Sequence, residues 1–269
     1  MTILLVIPSL TTGGAEAFVV RLANELSQRH AVHLYLFDEQ ASLSLRDRLA
    51  PTVQLHGRSP RLRLWVDRIR LRLRRLGIRF WTADDVTKYC LRKLCKELHP
   101  AVVNTHLYLA NAFVAETIDD LGCPQVVTDH GDYRYLSTTG AVTTDELRQS
   151  LRGARAIVAL CDANMPLLER LAPESTIRKI YNGLEPSALR PIDADRARLD
   201  LPDDAIVFGM VARGIPEKGW NEAVEAFEQI DRRVRRACLV LVGESPTLRD
   251  LAANYTHDPD IKFVGWAAD

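Results

Sequence analysis

The chain has 269 residues, and its 35 basic side chains balance its 35 acidic ones, so that the formal net charge is zero. This balance excludes the protein-wide basic field that favours nucleic acid, and we expect no nucleic-acid partner. A hydrophobic fraction of 47% excludes a disordered or collagen-like chain and predicts packed cores. The five cysteines include no C-x-x-C pair, which indicates neither a zinc framework nor a disulfide scaffold. Free cysteines are typical of the cytoplasm, where we expect the protein to be found.

Apolar runs alternate with helical patterns over residues 1–185 and predict one doubly wound parallel α/β domain. Short, branched and continuously apolar runs are typical of strands that are buried on both faces. The predicted strands comprise residues 3–7, 32–37, 53–56, 101–105, 125–128, 156–160 and 177–181, and the predicted helices comprise residues 15–26, 110–118 and 165–171. The first apolar run is too short for a signal sequence, and no run of about 18 apolar residues predicts a membrane span.

A second pattern begins after residues 186–204, which are rich in Pro, Asp and Arg and are expected to form a linker with a short helix at 194–199. The predicted strands of this second domain are residues 205–211, 238–242 and 261–264, and its predicted helices are 219–230 and 247–255. A doubly wound domain usually has five or six strands. We therefore expect that the second domain, 205–269, is incomplete in this chain or is completed by a partner.

The first candidate site is the sequence Gly13-Gly14-Ala15-Glu16, between the first strand and the first helix. Glycine allows the backbone to approach a ligand, and the start of a helix offers free N–H groups and a positive dipole end. Phosphates suit this place, although a tight loop without a ligand explains the two glycines equally well. The sequence is not G-x-G-x-x-G, so it does not support a dinucleotide fingerprint.

The second candidate site follows the strand at 125–128, where His130 lies between Asp129 and Asp132. Ligands in open α/β sheets bind at the carboxyl ends of strands, and a histidine there can donate a hydrogen bond to a substrate oxygen. The alternative is a structural turn in which one of the two aspartates caps a helix. Asn104 and His106 end the preceding strand and are weaker candidates for substrate binding.

The third candidate site contains Arg213 at the end of a strand and Lys218 at the start of the next helix. Two fixed cations at a helix N-terminus suit a diphosphate leaving group, whose negative charge grows as its bond to a sugar breaks. An ordinary strand–loop–helix connection with exposed charges is the alternative.

Together these motifs resemble glycosyltransferase family 4, the large retaining family of GT-B enzymes. The matching segments, in chain order, are Gly13-Gly14-Ala15-Glu16, His130, Tyr181-Asn182-Gly183, Val211-Ala212-Arg213 with Lys218-Gly219, Val242-Gly243-Glu244 and Phe263-Val264-Gly265. The family's V-G-R-x-x-x-x-K-G has Ala212 in place of its glycine, and its V-G-x-G has Ser245 in place of its last glycine. The resemblance covers essentially the whole chain.

The resemblance implies a GT-B fold, in which two Rossmann-like domains face a cleft, and sugar transfer from a nucleotide-diphosphate sugar with retention. It implies that His130 contacts the donor sugar and that Arg213 and Lys218 stabilise the departing diphosphate, which the Gly13-Gly14 backbone also approaches. Asn182, Gly243 and Glu244 join Asn104 and His106 as possible substrate-binding residues. No cofactor and no metal ion is implied, because the two cations replace the metal. The family's E-x7-E donor segment would lie beyond Asp269.

Two Asp-x-Asp sequences, at residues 193–195 and 258–260, are the type of motif that binds a metal ion in other glycosyltransferases. Neither ends a predicted buried strand. We therefore expect both to lie in solvated loops.

The segment from Arg58 to Trp81 contains nine arginines and one aspartate, and its apolar residues recur at helical spacing. A basic amphipathic helix of this kind binds anionic membrane surfaces. Packing of the apolar stripe against the first domain is an alternative that is compatible with membrane binding. The segment is consistent with a glycan or lipid-linked acceptor in cell-envelope polysaccharide or glycolipid synthesis, and with a peripheral position on the inner face of the plasma membrane.

Two other functions remain open at the level of the sequence. A non-catalytic, truncated transferase-like protein would bind an acceptor, a membrane or a partner without turnover. A GT-B sugar epimerase would need additional acid and base carboxylates, which the sequence does not assign.

Overall fold

The computed structural model describes residues 1–11, 13–37, 43–57, 82–183, 196–232 and 234–266. The segment from Arg58 to Trp81 and the first Asp-x-Asp sequence lie outside these residues. The chain divides into two compact units, Met1–Leu184 and Glu185–Asp269. Within the described ranges, no helix is long and apolar enough to span a bilayer.

The first unit is built on a parallel sheet in which seven strands are described, in the order β3-β2-β1-β4-β5-β6-β7. The strands are β1 (Thr2–Ile7), β2 (Ala31–Leu36), β3 (Gln54–Gly57), β4 (Val102–His106), β5 (Gln125–Asp129), β6 (Ala154–Ala159) and β7 (Thr176–Lys179). Each lies within two residues of a predicted strand, which confirms the α/β fold class.

Helices connect these strands. They are α1 (Gly14–Ser27), α2 (Leu43–Arg46), α3 (Ala83–Leu98), α4 (Tyr108–Ile118), α5 (Asp132–Thr139), α6 (Thr144–Ser150) and α7 (Met165–Leu171), with 3-10 turns at Asp119–Leu121 and Asp162–Asn164. Four of these helices, α2, α3, α5 and α6, were not predicted from the sequence. Two of these begin with reciprocal capping boxes, Thr82 with Asp85 for α3 and Thr143 with Glu146 for α6, which satisfy the first free N–H groups of each helix.

The centre of the sheet is buried on both faces because its strands alternate apolar residues between them. In β1, Leu5 and Ile7 pack with Val19 of α1 on one face. Leu4 and Val6 pack on the other face with α3 and α4. A further cluster covers β5 and β6 with the helices α5, α6 and α7. This layering leaves the carboxyl ends of the parallel strands on one edge, where the polar residues lie.

The second unit has a three-stranded parallel sheet in its described residues, in the order β10-β9-β8. The strands are β8 (Ile206–Val211), β9 (Ala237–Val242) and β10 (Ile261–Gly265), and the helices are α8 (Trp220–Glu228) and α9 (Pro246–Asn254), with 3-10 turns at Arg196–Leu199 and Pro216–Lys218. One sheet face packs against Trp220, Val224 and Phe227 of α8 and Leu248 of α9. On β8, Val211 is 79% exposed.

The second Asp-x-Asp sequence lies in a loop, as expected, but its two carboxylates are partly buried and ion-paired and not fully solvated. Arg232 donates to Asp258 at 2.9 Å and contacts Asp260 at 3.1 Å. The Arg232 guanidinium also lies over the Phe227 ring, 5.1 Å from its centroid. These contacts tie the segment before β10 to the end of α8, and they lower the pKa of Asp258 chiefly through its hydrogen bond with Arg232.

Candidate functional site

His106 and His130 meet at the carboxyl ends of β4 and β5. The two strands are neighbours in parallel register, with His106 opposite Thr128, so the residue that ends β4 comes next to the residues that follow β5. Nδ1 of His106 lies 3.1 Å from Nε2 of His130. The structure therefore brings together two of the residues that the sequence placed at separate strand ends.

Burial sets the charge of this histidine pair. His106 is completely buried, and its pKa is lowered well below the usual value by desolvation and then by the proximity of His130. The pKa of His130 is also lowered by burial, against an opposing effect of Asp129. The ring of Phe18, from α1, packs edge-on against both imidazoles, with centroid separations of 6.0 and 5.4 Å. Both histidines are consequently neutral near pH 7.

Asp129 and Asp132 form a buried carboxyl pair on either side of His130 in sequence. Asp129 accepts hydrogen bonds from the Gly131 N–H at 2.8 Å and from Asn164 Nδ2 at 2.9 Å. The pKa of Asp132 is raised to about 7, mainly by burial and then by hydrogen bonding and charge repulsion with Asp129. Burial and the neighbouring Asp129 carboxylate both disfavour the charged form of Asp132, so Asp132 is partly protonated near neutral pH.

Asp132 also has a structural role. One of its oxygens accepts a hydrogen bond from the backbone N–H of Tyr108, the first residue of α4, while Oδ1 is buried without a partner in the described residues. The alternative that an aspartate of this motif caps a helix is therefore correct for Asp132. The helix it caps is α4, which begins 24 residues earlier in the chain.

Leu107 connects the two parts of this cluster in a strained conformation. Its backbone has φ 71° and ψ 149°, close to a region that only glycine occupies easily. Such a conformation costs on the order of 1–3 kcal/mol and persists only where the surroundings enforce it. Here it allows His106 to face His130 while the N–H of Tyr108 faces Asp132. No pattern in the sequence indicated this turn.

Asn104 is committed to the sheet. Its Nδ2 donates to the Val126 carbonyl at 2.9 Å and to Thr128 Oγ1 at 3.0 Å. These bonds link β4 to β5 below the histidines and favour a structural role. Substrate binding by Asn104 stays a prediction.

Gly13 and Gly14 begin α1, whose N-terminus has no side-chain hydrogen-bond cap. A methyl group on Gly13 would collide with the Glu16 carboxylate, which folds back over it, whereas nothing lies within 4 Å of a methyl group on Gly14. The position at which a side chain of residue 14 would begin is therefore open space. This geometry is compatible with the predicted approach of a phosphate.

In the second unit, Arg213 and Lys218 flank the connection from β8 to α8. Both side chains are exposed, and neither makes an ion pair within the described ranges. Lys218 ends the turn Pro216–Lys218, and Gly219 follows with φ 77° as the N-cap of α8, which has no side-chain cap. Two cations without acidic partners thus accompany a free helix N-terminus.

Trp220 holds this connection in place, although the sequence analysis did not select it. Its side chain is 2% exposed, and its indole Nε1–H donates to the Arg213 carbonyl at 3.0 Å. A methyl group on Gly243 would lie 2.6 Å from the Ala212 carbonyl oxygen and 3.0 Å from the indole. A methyl group on Gly214 would lie 2.7 Å from the Glu244 carbonyl oxygen. The two loops that follow β8 and β9 are therefore packed backbone against backbone, and glycine is needed at the contact points.

Two other predicted residues, Asn182 and Glu244, are exposed. Glu244 is exposed, and its carbonyl packs at Gly214. Asn182 is exposed at the end of the first unit, beside Tyr181, whose ring lies under the Lys179 amine. Substrate binding by Asn182, Gly243 and Glu244 stays a prediction. Among the described residues, no group of three His, Cys, Asp or Glu side chains is arranged to hold a metal ion.

Several solved structures have a fold similar to that of this chain. Anabaena HepE, solved in complex with UDP and glucose, aligns with 100% of this chain and 70% of its own at 19% identity, with a TM-score of 0.72. Sucrose-phosphate synthase from Thermosynechococcus elongatus aligns with 99% of this chain and 70% of its own at 18% identity, also with a TM-score of 0.72. These similarities show that the chain has the GT-B glycosyltransferase fold.

Sequence comparison agrees with the fold. The chain is 27% identical over 209 residues to the 2-deoxystreptamine glucosyltransferase of Streptomyces kanamyceticus, and the match covers 68% of this chain and about half, 53%, of that relative. Residues 191–269 match the family description glycosyl transferases group 1. Residues 12–188, more than half of the chain, match the description Glycosyltransferase Family 4. The chain belongs to glycosyltransferase family 4.

Proposed function

We propose that the protein transfers a sugar from a nucleotide-diphosphate sugar to an acceptor, with retention at the anomeric carbon. The observation that carries this proposal is that two exposed cations, Arg213 and Lys218, lie at the N-terminus of α8 and make no ion pair with the described residues. UDP and UDP-glucose occur in the solved structures of Anabaena HepE. A nucleoside diphosphate is the chemical group that such a loop suits best.

The chemistry follows from where charge develops. As the bond between sugar and diphosphate breaks, negative charge grows on the leaving oxygen, and fixed cations and helix N–H groups stabilise it more than they stabilise the intact donor. Arg213 and Lys218 would supply this stabilisation. Their backbone is already fixed by Trp220 and Gly243, so little reorganisation is needed when the donor binds.

The first unit would contribute the groups that meet the sugar and the acceptor. His130, neutral and partly exposed at the end of β5, is a hydrogen-bond donor for a sugar oxygen. The open backbone at Gly14 would approach the diphosphate.

Substitution of Lys218 tests the proposal, with UDP-glucose as the donor probe. Lys218→Ala should lower kcat/KM for donor turnover by roughly two orders of magnitude or more, as expected for one preorganised charge-stabilising group. Lys262→Ala is the matched control, because Lys262 is the other lysine of the second unit and lies on β10. Equal turnover in the two variants would remove Lys218 from the mechanism. Absence of turnover in the unsubstituted chain would favour the non-catalytic binding function.

We further propose that the acceptor is a glycan or a lipid-linked sugar of the cell envelope and that the segment from Arg58 to Trp81 binds the anionic inner face of the plasma membrane. Each basic residue near such a surface contributes about 1 kcal/mol. The double variant Arg74→Glu, Arg75→Glu should reduce sedimentation with phosphatidylserine vesicles. The charge-matched control Arg235→Glu, Arg249→Glu should not. Equal sedimentation of the unsubstituted protein with phosphatidylserine and phosphatidylcholine vesicles would contradict membrane recognition by charge.

A further inference from the structure

We propose that His106 is a positioning residue that holds the neutral ring of His130 in the tautomer with its proton on Nδ1, so that His130 offers an Nδ1–H donor to a substrate oxygen. The tautomer itself is a property of this chain. Its use toward a sugar rests on the proposed function of His130.

A single hydrogen bond joins the two imidazole rings. Nδ1 of His106 and Nε2 of His130 are 3.1 Å apart, and both rings are neutral near pH 7. One of these two nitrogens must therefore carry the proton and the other must accept it. The contact fixes the tautomers of both rings together.

His106 is the donor of this hydrogen bond. Nε2 of His106 is buried and has no hydrogen-bond partner within the described ranges. If His106 carried its proton on Nε2, a buried N–H group would be left without an acceptor, whereas a proton on Nδ1 leaves only an unused lone pair. Orphaned buried N–H groups are rarer and more costly than acceptors without a donor. His106 therefore donates from Nδ1, and Nε2 of His130 accepts.

The tautomer of His130 follows from this direction of the hydrogen bond. A neutral imidazole that accepts at Nε2 carries its proton on Nδ1. This nitrogen makes no hydrogen bond to the described part of the protein and is not among its buried, unpartnered atoms. The His130 ring is only partly buried, so Nδ1–H is the group that remains available to a ligand.

The surroundings keep this arrangement in place. Phe18 packs edge-on against both rings and restricts their rotation. The strained turn at Leu107 aims His106 at His130. Desolvation disfavours a second proton on either ring, although the Asp129 carboxylate beside His130 opposes this effect.

Long-range proton–nitrogen correlation spectra of the whole chain, labelled with 15N-histidine at pH 8, test the proposal directly. The rings of His106 and His130 are assigned by their loss from spectra of His106→Asn and His130→Asn. We expect His130 to show a protonated Nδ1 and an unprotonated Nε2. The reverse pattern in His130 would overturn the proposal.

Two variants separate positioning from general stability. In His106→Asn, the side-chain amide offers an N–H donor where Nδ1–H was, and His130 should keep its tautomer. In His106→Leu, the donor is lost, and both nitrogens of His130 should shift toward the average of the two tautomers. An unchanged tautomer in a folded His106→Leu protein would refute control by His106, and the spectra of the unsubstituted chain decide the question if that variant does not fold.

Turnover of UDP-glucose connects the tautomer to the proposed function. We expect His106→Leu to lower kcat roughly 10-fold, as for loss of one hydrogen bond that positions the imidazole, with a smaller change in KM and partial rescue in His106→Asn. Absence of turnover together with a protonated Nδ1 on His130 would contradict the proposed function and leave the tautomer assignment intact. Normal turnover together with a protonated Nε2 on His130 would contradict the tautomer assignment and leave the proposed function intact.

Discussion

Gly243 is the residue at which one added methyl group tests the packing of the second unit. In Gly243→Ala, the new carbon would lie 2.6 Å from the carbonyl oxygen of Ala212 and 3.0 Å from two carbons of the Trp220 indole. The carbonyl belongs to the backbone, and the indole is buried and hydrogen-bonded to Arg213. Neither neighbour can move without disturbing the loop that carries the cations.

The magnitude follows from two opposing effects. Overpacking of a well-packed site typically costs about 1–3 kcal/mol, and we expect the upper part of that range because both obstacles are fixed. Replacement of glycine by alanine also restricts the unfolded chain and so stabilises the folded one by about 0.4–1 kcal/mol. The net loss in the free energy of unfolding should be about 2 kcal/mol.

Gly209→Ala is the matched control. Gly209 lies in β8 of the same sheet, and a methyl group there would meet nothing within 4 Å. This variant should be as stable as the unsubstituted chain or slightly more stable. Urea-induced unfolding followed by tryptophan fluorescence measures both proteins. If Gly243→Ala unfolds at the same urea concentration as Gly209→Ala, the close contact between the two loops does not exist as described.

Three further predictions concern the first unit. Burial raises the pKa of Asp132 from its usual 3.8 to about 7, so between these pH values the folded chain binds more protons than the unfolded chain. The stability that protonated Asp132 provides is therefore lost as pH rises through 7. Compared with the unsubstituted chain, Asp132→Asn should have an unfolding free energy that is higher by at least ~1 kcal/mol at pH 8, and this difference should disappear near pH 4. Burial lowers the pKa values of His33 and His56, whose ring nitrogens lie 2.8 Å apart. Their contribution to the free energy of unfolding is therefore complete above pH 6.5 and is lost as pH falls below that value. The melting temperatures at pH 7.5 and pH 5.5 should differ less in His56→Gln than in the unsubstituted chain, and an equal difference would exclude this pair as the cause. Thr143→Ala removes the capping box of α6 and should cost about 1 kcal/mol in urea unfolding, whereas Thr144→Ala, one residue inside the helix, should cost less.

The strands were predictable because a parallel sheet buries both faces of its strands. The runs that became β1 and β9 are almost continuously apolar, and few other structures account for such short segments. The helix α6 was missed because it is short and mostly polar, whereas Val86, Leu91 and Leu94 of α3 recur at helical spacing and were an unused signal. Their capping boxes, Thr82 with Asp85 and Thr143 with Glu146, were visible signals that could have indicated where they begin.

The site was only partly predictable, because its critical contacts join residues far apart in the chain. His106 and His130 each follow from the rule that ligands bind at strand ends, but their mutual hydrogen bond depends on the neighbouring register of β4 and β5. Trp220 has the appearance of an ordinary buried aromatic residue in sequence. Its bond to the Arg213 carbonyl depends on how closely Gly243 lets the two loops approach.

Arg232 gives the second unit a response to ionic strength that differs between its two ends. At the amino ends of the strands, the segment before β10 is tied down by charge, through Arg232 and the carboxylates of Asp258 and Asp260. At the carboxyl ends, the loops after β8 and β9 are joined by close packing at Gly243, which salt does not screen. Added salt should therefore accelerate amide exchange in the segment before β10 while leaving exchange in the cation-bearing loop nearly unchanged. The part of the unit that we expect to bind the diphosphate is thus held by forces that an electrolyte weakens least.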